Sequence, residues 1–521
     1  MKKRILVLSL ALVMILMLFT GCGKKVESEP ASDPDGSAET TGAQKSGRAA
    51  ANEVSIGIAQ DFDSLDPDYM TAAGTKEILF NVFEGLVKPN SDGEIVPAVA
   101  SEVAKSEDGL TYVFTLRDGV KFHNGDPVDM QDIVYSVERR WNSDDTAAKL
   151  AALAVIDHLD HDDTTLTITL SEPSNEFLAA VMNVYILPAD YTQQETAPVG
   201  TGPYRFVSRA VQDSLVLERF TDYWGTPGKI DKITFKILES AEGLVLGLQS
   251  GALDLVAHLS SDQTVQLNAE DFTIREGSMN LVQALYLNNA EKPFDDIRVR
   301  QALCYAIDKQ AVIDLAFDGY GIPLGTSMFP SFSKYYDESL TDYYTLNIEK
   351  AKELLTEAGY PDGFDMTITV PSNYTPHMNT ATVLVELLRE AGIRATVQPV
   401  DWGTWLEDVY GNRKFQSTIT GLTSDNMTAR KLLERFGSEV GNNFTNYSNA
   451  EYDEILAKAL SATDDEEQTA LYRELEKNLT ENAANVYLQD MADLVALRSG
   501  LDGLTFYPIY VLDVSTLYWV S

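Results

Sequence analysis

Strand-type and helix-type patterns of apolar residues alternate along the chain from about residue 52 onward. The stretches "EVSIGIA" (53–59) and "TTLTITL" (164–170) alternate apolar with other residues, as half-buried strands do. The stretch "DMQDIVYSVERRW" (129–141) has apolar residues at helical spacing, and Asp129 is expected to cap the start of this helix. In "LTYVFTLRDGVKF" (110–122), two strand-like runs flank a glycine-containing turn, which predicts a hairpin.

The second half of the chain predicts longer helices between strands. The stretch "IEKAKELLTEAGY" (348–360) predicts a helix that ends near Gly359. It is followed by a strand, "DMTITV", a helix, "MNTATVLVELLREAGI", and a second strand, "RATVQPV". Near the C-terminus, "ANVYLQDMADLVAL" (484–497) again has strand character. The strand, helix, strand order predicts an α/β lobe with partly parallel strand pairing.

The first 51 residues have a different character. Three basic residues precede an almost wholly apolar run that is short for a membrane span, which predicts a signal peptide over residues 1–21. The stretch "FTGC" resembles a bacterial lipobox, although Phe19 stands where leucine is usual, and it predicts lipidation of Cys22. The alternative is an uncleaved anchor helix. Almost no large apolar residue follows Cys22, so residues 22–51 are interpreted as the lipidated cysteine and a flexible linker.

The composition narrows the function classes. The chain has 521 residues, of which 44% are hydrophobic, and its length suggests several domains. With 40 Lys and Arg against 79 Asp and Glu, the formal charge is −39, and loss of Lys2, Lys3 and Arg4 with the signal peptide gives −39 − 3 = −42. This charge argues against nucleic acid as a partner, because phosphates would be repelled. Two cysteines and five scattered histidines predict no disulfide framework and no metal site, and Cys304 is expected to be a buried structural thiol.

Three short motifs raise the alternative of a secreted serine hydrolase. The strings "SFSK" (331–334), "SDN" (424–426) and "KSG" (45–47) match the signatures of penicillin-interacting serine enzymes. Their context argues against catalysis, because "SFSK" lies in a loop-like segment and "KSG" lies in the linker, ahead of the other two. The chain is therefore expected not to be an enzyme and to carry no cofactor.

Several blocks in collinear order resemble the solute-binding proteins of oligopeptide, dipeptide and nickel ABC importers. They are "FNVFEGLVKPNSDGEIVPAVASEV", "SEDGLTYVFTLRDGVKFHNGDPV", "VGTGPYRF" with "ERFTDYWG", "KPFDDIRVRQALCYAIDK" and "AKELLTEAGYPDGF". The resemblance implies a two-lobed, periplasmic-binding-protein-like α/β fold of class II, in its three-domain variant, with a hinge and a ligand cleft between the lobes. It places domain I at 52–86, 198–283 and 495–521, domain II at 87–197 and domain III at 284–494. Gly200, Gly202, Arg298 and Arg300 are interpreted as architectural residues rather than ligand contacts.

The resemblance also implies a function. A monomeric lipoprotein on the outer face of the bacterial cytoplasmic membrane would capture a peptide or a small cationic, amine-bearing solute. It would then deliver that solute to the permease subunits of an ABC transporter. A nickel-chelate or opine receptor of the same fold is the alternative within this class.

The proposed ligand anchor lies in "GLTSDN" (421–426). In peptide-binding relatives, a carboxylate in a similar motif binds the α-amino group of the peptide, and Asp425 matches it. Asp425 is alternatively a helix cap, and Asn426 is available for either role. The sequence departs from the relatives at two positions. Leu422 replaces the tryptophan of the motif, and Ser372 replaces the arginine that binds the C-terminal carboxylate in dipeptide-binding relatives.

Aromatic and hydroxyl residues complete the predicted site. Trp402, in "VDWGTW", matches a pocket tryptophan, with core packing as the alternative interpretation. Tyr374, in "SNYTP", matches a pocket tyrosine. Further polar contacts are expected from Tyr69, Thr71 and Thr423.

Overall fold

A computed structural model describes residues 47–424 and 427–520, all of which belong to one compact unit, Lys45–Ser521. The strands are β1 (Glu53–Ile58), β2 (Val87–Pro89), β3 (Ile95–Pro97), β4 (Ala100–Lys105), β5 (Thr111–Leu116), β6 (Ile156–His161), β7 (Thr165–Leu170), β8 (Tyr204–Ala210), β9 (Ser214–Arg219), β10 (Lys232–Ile237), β11 (Leu255–Leu259), β12 (Phe272–Leu287), β13 (Gly321–Pro323), β14 (Asp365–Pro371), β15 (Arg394–Val400), β16 (Ser417–Thr423), β17 (Asn485–Arg498), β18 (Leu501–Asp502) and β19 (Tyr518–Trp519). The α-helices are α1 (Gly47–Ala51), α2 (Ala73–Leu79), α3 (Met130–Trp141), α4 (Phe177–Val181), α5 (Ala241–Gln249), α6 (Ser261–Thr264), α7 (Ile297–Ala306), α8 (Lys309–Phe317), α9 (Ile348–Glu357), α10 (Thr375–Arg389), α11 (Trp402–Thr404), α12 (Arg430–Leu433), α13 (Ala450–Ser461) and α14 (Asp465–Glu481).

Two long strands organise the main sheet. Within the described ranges the sheet has the order β15-β14-β16-β12-β17-β11-β1-β10-β9-β8, and β13 also pairs with β17. Strands β12 and β17 run antiparallel at its centre and are 16 and 14 residues long. Because β17 pairs with β11 at one end and β12 pairs with β16 at the other, these two strands join both halves of the sheet.

The predicted strand, helix, strand order in the second half is confirmed. Strands β14 and β15 lie parallel and are connected by α10, whose apolar face includes the buried residues Ala381, Leu384 and Leu388. The N-cap prediction for α3 is also confirmed. The Asp129 side chain accepts a hydrogen bond from the backbone N–H of Asp132, and the Asp132 side chain accepts one from the backbone N–H of Asp129.

A second, antiparallel sheet has the order β4-β5-β7-β6, and it corrects the predicted hairpin over residues 110–122. Strand β5 pairs with β4 and β7, not with the residues that follow Gly119. The turn itself is real, since Gly119 has φ +76°. The chain after it makes only a bridge from Lys121 to Pro127, because Val120 and Phe122 turn into the core instead.

The glycines and arginines interpreted as architectural have local structural partners. A Cβ atom on Gly200 would lie 2.2 Å from the Val82 carbonyl oxygen, so this position requires glycine. Arg298 pairs with Asp296 at the start of α7. Arg300 is buried, and its guanidinium donates hydrogen bonds to the carbonyl oxygens of Phe294, Asn482 and Ala483.

The predicted linker overlaps an ordered segment. Residues Gly47–Ala51, the last five of the predicted linker, form α1, and Arg48 pairs with the buried Asp254 at 2.5 Å. Cys22 and the predicted signal peptide lie outside the described residues. Within the described ranges, no helix is long and apolar enough to cross a membrane. Cys304 is buried as expected, and burial raises the pKa of its thiol to about 12.

Candidate functional site

A cavity of about 340 Å³ lies where the pairing of strand β12 with β17 is interrupted. The register between β12 and β17 shifts between Ser278 and Val282, and the intervening residues 279–281 form part of the cavity wall. Other parts of the wall come from α2 and the segment after it, the residues after α4, the end of β16 and the C-terminal loop. The lining residues include Phe80, Phe83, Tyr185, Met279, Leu281, Ser424, Ile509 and Tyr510.

Hydrogen bonds from polar side chains stabilise the backbone of β12 where its pairing with β17 is interrupted. The fully buried Asp490 accepts a hydrogen bond from the backbone N–H of Leu281 at 3.0 Å, and its other oxygen is hydrogen-bonded to the Ser278 hydroxyl. Burial raises the pKa of Asp490 to about 7, although the Leu281 and Ser278 hydrogen bonds oppose this change. Asn280 has φ +55°, and its amide donates to the Tyr507 carbonyl at 2.8 Å. These contacts fix residues 279–281 against the cavity.

Two lysines and one glutamate are the charged side chains among the described lining residues. Glu84 is 4% exposed and accepts hydrogen bonds from Lys88 Nζ at 2.7 Å, the Tyr223 hydroxyl at 2.6 Å and Trp224 Nε1 at 2.7 Å. Its charge is therefore balanced by Lys88. Lys76 is exposed, and it lies on the cavity side of α2.

Both predicted threonines line the cavity. The Thr71 hydroxyl donates to Asp63 Oδ2 at 2.7 Å, and Thr423 is the last residue of β16. The predicted anchor Asp425 and its neighbour Asn426 lie outside the described residues. Ser424, which immediately precedes Asp425 in the chain, does line the cavity.

Tyr374 and Trp402 do not line this cavity; they form an aromatic cluster with His377 and Trp405. The indole of Trp402 stacks on that of Trp405, with ring centroids 5.0 Å apart and an angle of 5° between the planes. The Tyr374 and Trp402 rings pack edge to face, with centroids 5.3 Å apart. Trp405 is buried, whereas Trp402 is 37% and Tyr374 42% exposed. One face of this cluster is therefore open to solvent, which simple core packing would not leave.

The aromatic cluster is connected to the strand that carries the cavity. Tyr374 stacks on His377 at 5.5 Å, and His377 Nδ1 lies 2.9 Å from the Gln283 amide nitrogen on β12. Gln283 is two residues beyond Leu281 of the cavity wall. The cluster and the cavity thus adjoin the same strand without sharing lining residues.

Tyr69 is not brought into the cavity either. Its hydroxyl donates to Asp145 Oδ2 at 2.7 Å, and the Arg139 guanidinium lies 5.9 Å from its ring centroid. Sequence reasoning missed Lys76, Glu84 and Lys88 as cavity residues. Lys76 and Glu84 both belong to the stretch "GTKEILFNVFEGL", and nothing in its local pattern indicates which residues lie next to it in space.

The motif that suggested a serine enzyme does not form a nucleophile and base pair. The Ser331 hydroxyl is hydrogen-bonded to the Asn280 side chain, whereas Lys334 Nζ pairs with Asp465 at 2.6 Å. In residues 47–424 and 427–520, no group of three or more His, Cys, Asp or Glu side chains is placed to hold a metal ion.

Comparison with known proteins identifies the family. A family model described as bacterial extracellular solute-binding proteins, family 5 Middle, matches residues 94–444. The glutathione-binding protein GsiB of Pectobacterium atrosepticum is 30% identical over 482 residues, which cover 88% of this chain and 92% of GsiB.

Solved structures agree with this assignment. The ABC transporter substrate-binding protein CtaP from Listeria monocytogenes has a TM-score of 0.78 at 25% identity, over 90% of this chain and 99% of CtaP. The periplasmic binding protein DppA from Helicobacter pylori, in complex with the peptide STSA, has a TM-score of 0.67 at 25% identity, over 90% of this chain and 98% of DppA. The predicted two-lobed periplasmic-binding-protein fold is confirmed. The chain belongs to family 5 of the bacterial extracellular solute-binding proteins, which bind solutes for ABC importers rather than catalyse reactions.

Proposed function

We propose that this protein captures a short peptide, or a related amine-bearing solute, in the cavity beside β12 and delivers it to an ABC permease without chemical change. The observation that carries the proposal is the cavity itself, whose wall combines apolar and aromatic side chains with Thr71, Thr423 and Ser424. Such a mixture, mostly apolar with a few polar groups, is typical of sites that enclose small ligands. The names of the relatives GsiB and DppA, a glutathione-binding protein and a protein solved with a peptide, support this ligand class.

Asp425 is the proposed anchor for the solute amine. It follows Ser424, a cavity-lining residue, and it occupies the position that resembles the amine-binding carboxylate of peptide-binding relatives. A carboxylate facing an ammonium group forms a charge-assisted hydrogen bond, which contributes more than a neutral one. Asn426 would then cap the residues that follow, or add a second polar contact to the solute.

Replacement of Asp425 tests this anchor. Asp425→Asn keeps the shape of the side chain and removes its charge, so affinity for amine-bearing peptides should fall by about tenfold or more, equal to about 1.4 kcal/mol. Asp144→Asn makes the same change in net charge at an exposed position and should bind as the wild type does. Calorimetric titration with a peptide mixture measures the affinities. Equal affinity of Asp425→Asn and wild type, at equal thermal stability, would reject the anchor.

The half-exposed faces of Trp402 and Tyr374 are proposed to extend the site along β12 for the side chain of a longer ligand. Both rings belong to the cluster that contacts β12 through His377 and Gln283, and an aromatic face can cover an apolar group or a cation. Tyr69, which lies outside the cavity wall, would act only as a peripheral polar contact.

The protein is further proposed to act as a monomer, tethered by lipid on Cys22 to the outer face of the cytoplasmic membrane. The lipobox-like "FTGC" and the polar stretch that follows it support this proposal. Cys22→Ser should release the protein from membranes during cell fractionation. If the variant stays in the membrane fraction after a carbonate wash, the uncleaved-helix alternative is correct.

A further inference from the structure

A second cavity, of about 440 Å³, adjoins the first cavity beside β12. Its wall comes from the end of β1 and the residues after it, the first part of α2, and parts of α5, β11 and the C-terminal loop. Ala73 and Tyr510 line both cavities. These two residues therefore form a partition between the two spaces, and only one of them has a large side chain.

The charged groups in the wall of the second cavity are already paired. Asp61 accepts a hydrogen bond from Arg209 Nη2 at 2.9 Å, and Glu77 Oε1 lies 2.8 Å from His258 Nε2. An apolar group gains free energy when such a space takes it out of water, whereas an ionic group would lose its hydration without a new partner. The apolar lining residues include Ile58, Ala59, Phe62, Leu244, Ala257 and Leu512. The second cavity is therefore suited to a neutral, apolar group.

The Tyr510 side chain has few contacts that would hold it in the partition. Its side chain is 44% exposed, and its ring stacks on the His258 imidazole with centroids 4.6 Å apart and an angle of 13° between the planes. The Tyr510 hydroxyl makes no hydrogen bond to residues 47–424 or 427–520. Rotation of this side chain therefore costs one ring stack and no hydrogen bond.

The groups around Tyr510 are held more firmly. His258 lies between two carboxylates, with Glu77 at 2.8 Å and Asp493 at 2.9 Å. The α2 backbone is tied to the C-terminal loop, because the Glu77 carbonyl accepts a hydrogen bond from the Leu512 N–H at 3.2 Å. The tyrosine ring is thus the part of the partition that can move while its surroundings stay in place.

We propose that Tyr510 is a movable partition, and that its rotation joins the two cavities so that the second cavity receives a bulky apolar substituent of the solute. This inference rests on the proposed function, in which the solute occupies the first cavity. At about 340 Å³, the first cavity is near the lower end of the usual range for ligand sites, about 300–1,000 Å³, so a larger solute needs further room. Tyr510 would select solutes whose aromatic or branched aliphatic group gains more from burial than the ring stack costs.

Peptides that differ in one side chain test this selection. The full-length protein is titrated calorimetrically with trialanine and with three peptides in which tryptophan replaces each alanine in turn. The measured quantity is the affinity of the best tryptophan peptide divided by the affinity of trialanine. We expect a ratio of about ten or more for the wild type, because burial of one large apolar side chain contributes that much.

Substitutions on either side of the partition should change this ratio in opposite directions. Gly74 lines the second cavity but not the first, and an added Cβ would meet no atom within 4 Å. Gly74→Leu should therefore fill part of the second cavity and lower the ratio by about fivefold or more. Tyr510→Ala removes the ring that must be displaced and should raise the ratio by about two- to tenfold.

Two controls separate these effects from general disturbance. Gly441→Leu makes the same change as Gly74→Leu at an equally open position that lines neither cavity, and it should keep the wild-type ratio. Tyr510→Phe keeps the ring and should also keep the wild-type ratio. Gly74→Leu alone decides the question should Tyr510→Ala prove unstable in a thermal melt.

Three outcomes would contradict the inference. A ratio that neither Gly74→Leu nor Tyr510→Ala changes would overturn it while peptide binding itself stood. A wild type that binds trialanine at least as tightly as all three tryptophan peptides would overturn it in the same way. A wild type that binds none of the four peptides would overturn the proposed function, and with it this inference.

Discussion

The buried carboxylate behind the cavity should make the protein less stable as the pH rises from about 4 to about 7. Asp490 is 0% exposed, and burial raises its pKa from 3.8 to about 7. Because the folded state holds this proton more tightly than the unfolded state, the stability from Asp490 is fully present below pH 4 and is lost as the pH rises to about 7. A difference of about 3 pKa units at about 1.4 kcal/mol each corresponds to about 4 kcal/mol.

Asp490→Asn tests this magnitude. An asparagine can accept the hydrogen bond from the Leu281 N–H through its oxygen and donate to the Ser278 hydroxyl through its nitrogen, without a charge to desolvate. We expect the variant and the wild type to unfold at similar urea concentrations at pH 4, and the variant to be more stable by up to about 4 kcal/mol at pH 8.

Urea unfolding at half-unit steps between pH 4 and pH 8 gives the difference in the free energy of unfolding between the two proteins. Groups that titrate in the same way in both proteins do not contribute to this difference. A difference that does not change with pH would refute the assignment of a raised pKa to Asp490. A variant that is less stable than the wild type at pH 8 would show that the carboxylate is required in its charged form.

Three further predictions concern stability. Glu84→Ala leaves Lys88 and two other partly buried donors without their acceptor, and it should lower the free energy of unfolding by about 1–3 kcal/mol in urea titrations. Gly202→Ala would place a Cβ atom 2.5 Å from the Asn81 carbonyl oxygen and should destabilise the protein by about 1–3 kcal/mol. Gly74→Ala is the control, because no atom lies within 4 Å of the added Cβ, and it should change the melting temperature little. Equal effects of the two substitutions on the melting temperature would contradict this prediction. Burial alone would lower the pKa of His258, but hydrogen bonds to the carboxylates of Glu77 and Asp493 raise it to about 10. The stabilising effect of His258 should therefore be lost as the pH rises through about 10. His258→Gln should make the free energy of unfolding depend less on pH in this range.

Local patterns in the sequence predicted the elements whose partners are close in the chain. The strands and helix over residues 365–400 follow one another directly, so apolar spacing alone was sufficient to predict their parallel arrangement. The predicted hairpin over residues 110–122 was wrong because β5 pairs with β4 and β7. An alternating pattern predicts a strand but does not indicate which other strand pairs with it. The linker was extended too far because α1 is fixed by an ion pair between Arg48 and Asp254, more than 200 residues away. The predicted domain boundaries stay predictions.

The candidate site was predictable only where it resembles known motifs. Thr71 and Thr423, two of the predicted contact residues, line the cavity, and so does Ser424; their contact with a ligand stays a prediction. Lys76 was missed because an exposed lysine on an amphipathic helix is indistinguishable, by periodicity, from an ordinary solvated residue. Tyr374 and Trp402 were each matched to pocket residues of relatives, but their contact with each other and the stacking of Trp402 on Trp405 join residues that local patterns do not relate.

The function proposed for this protein depends on its binding a solute that carries an amine. The most direct test is mass spectrometry of the solute released on denaturation of full-length protein purified natively from its own cells. We predict a stoichiometric peptide, or another small solute that carries a primary amine. A stoichiometric solute without an amine, or an empty protein that binds no member of an added peptide library, would contradict the proposed function.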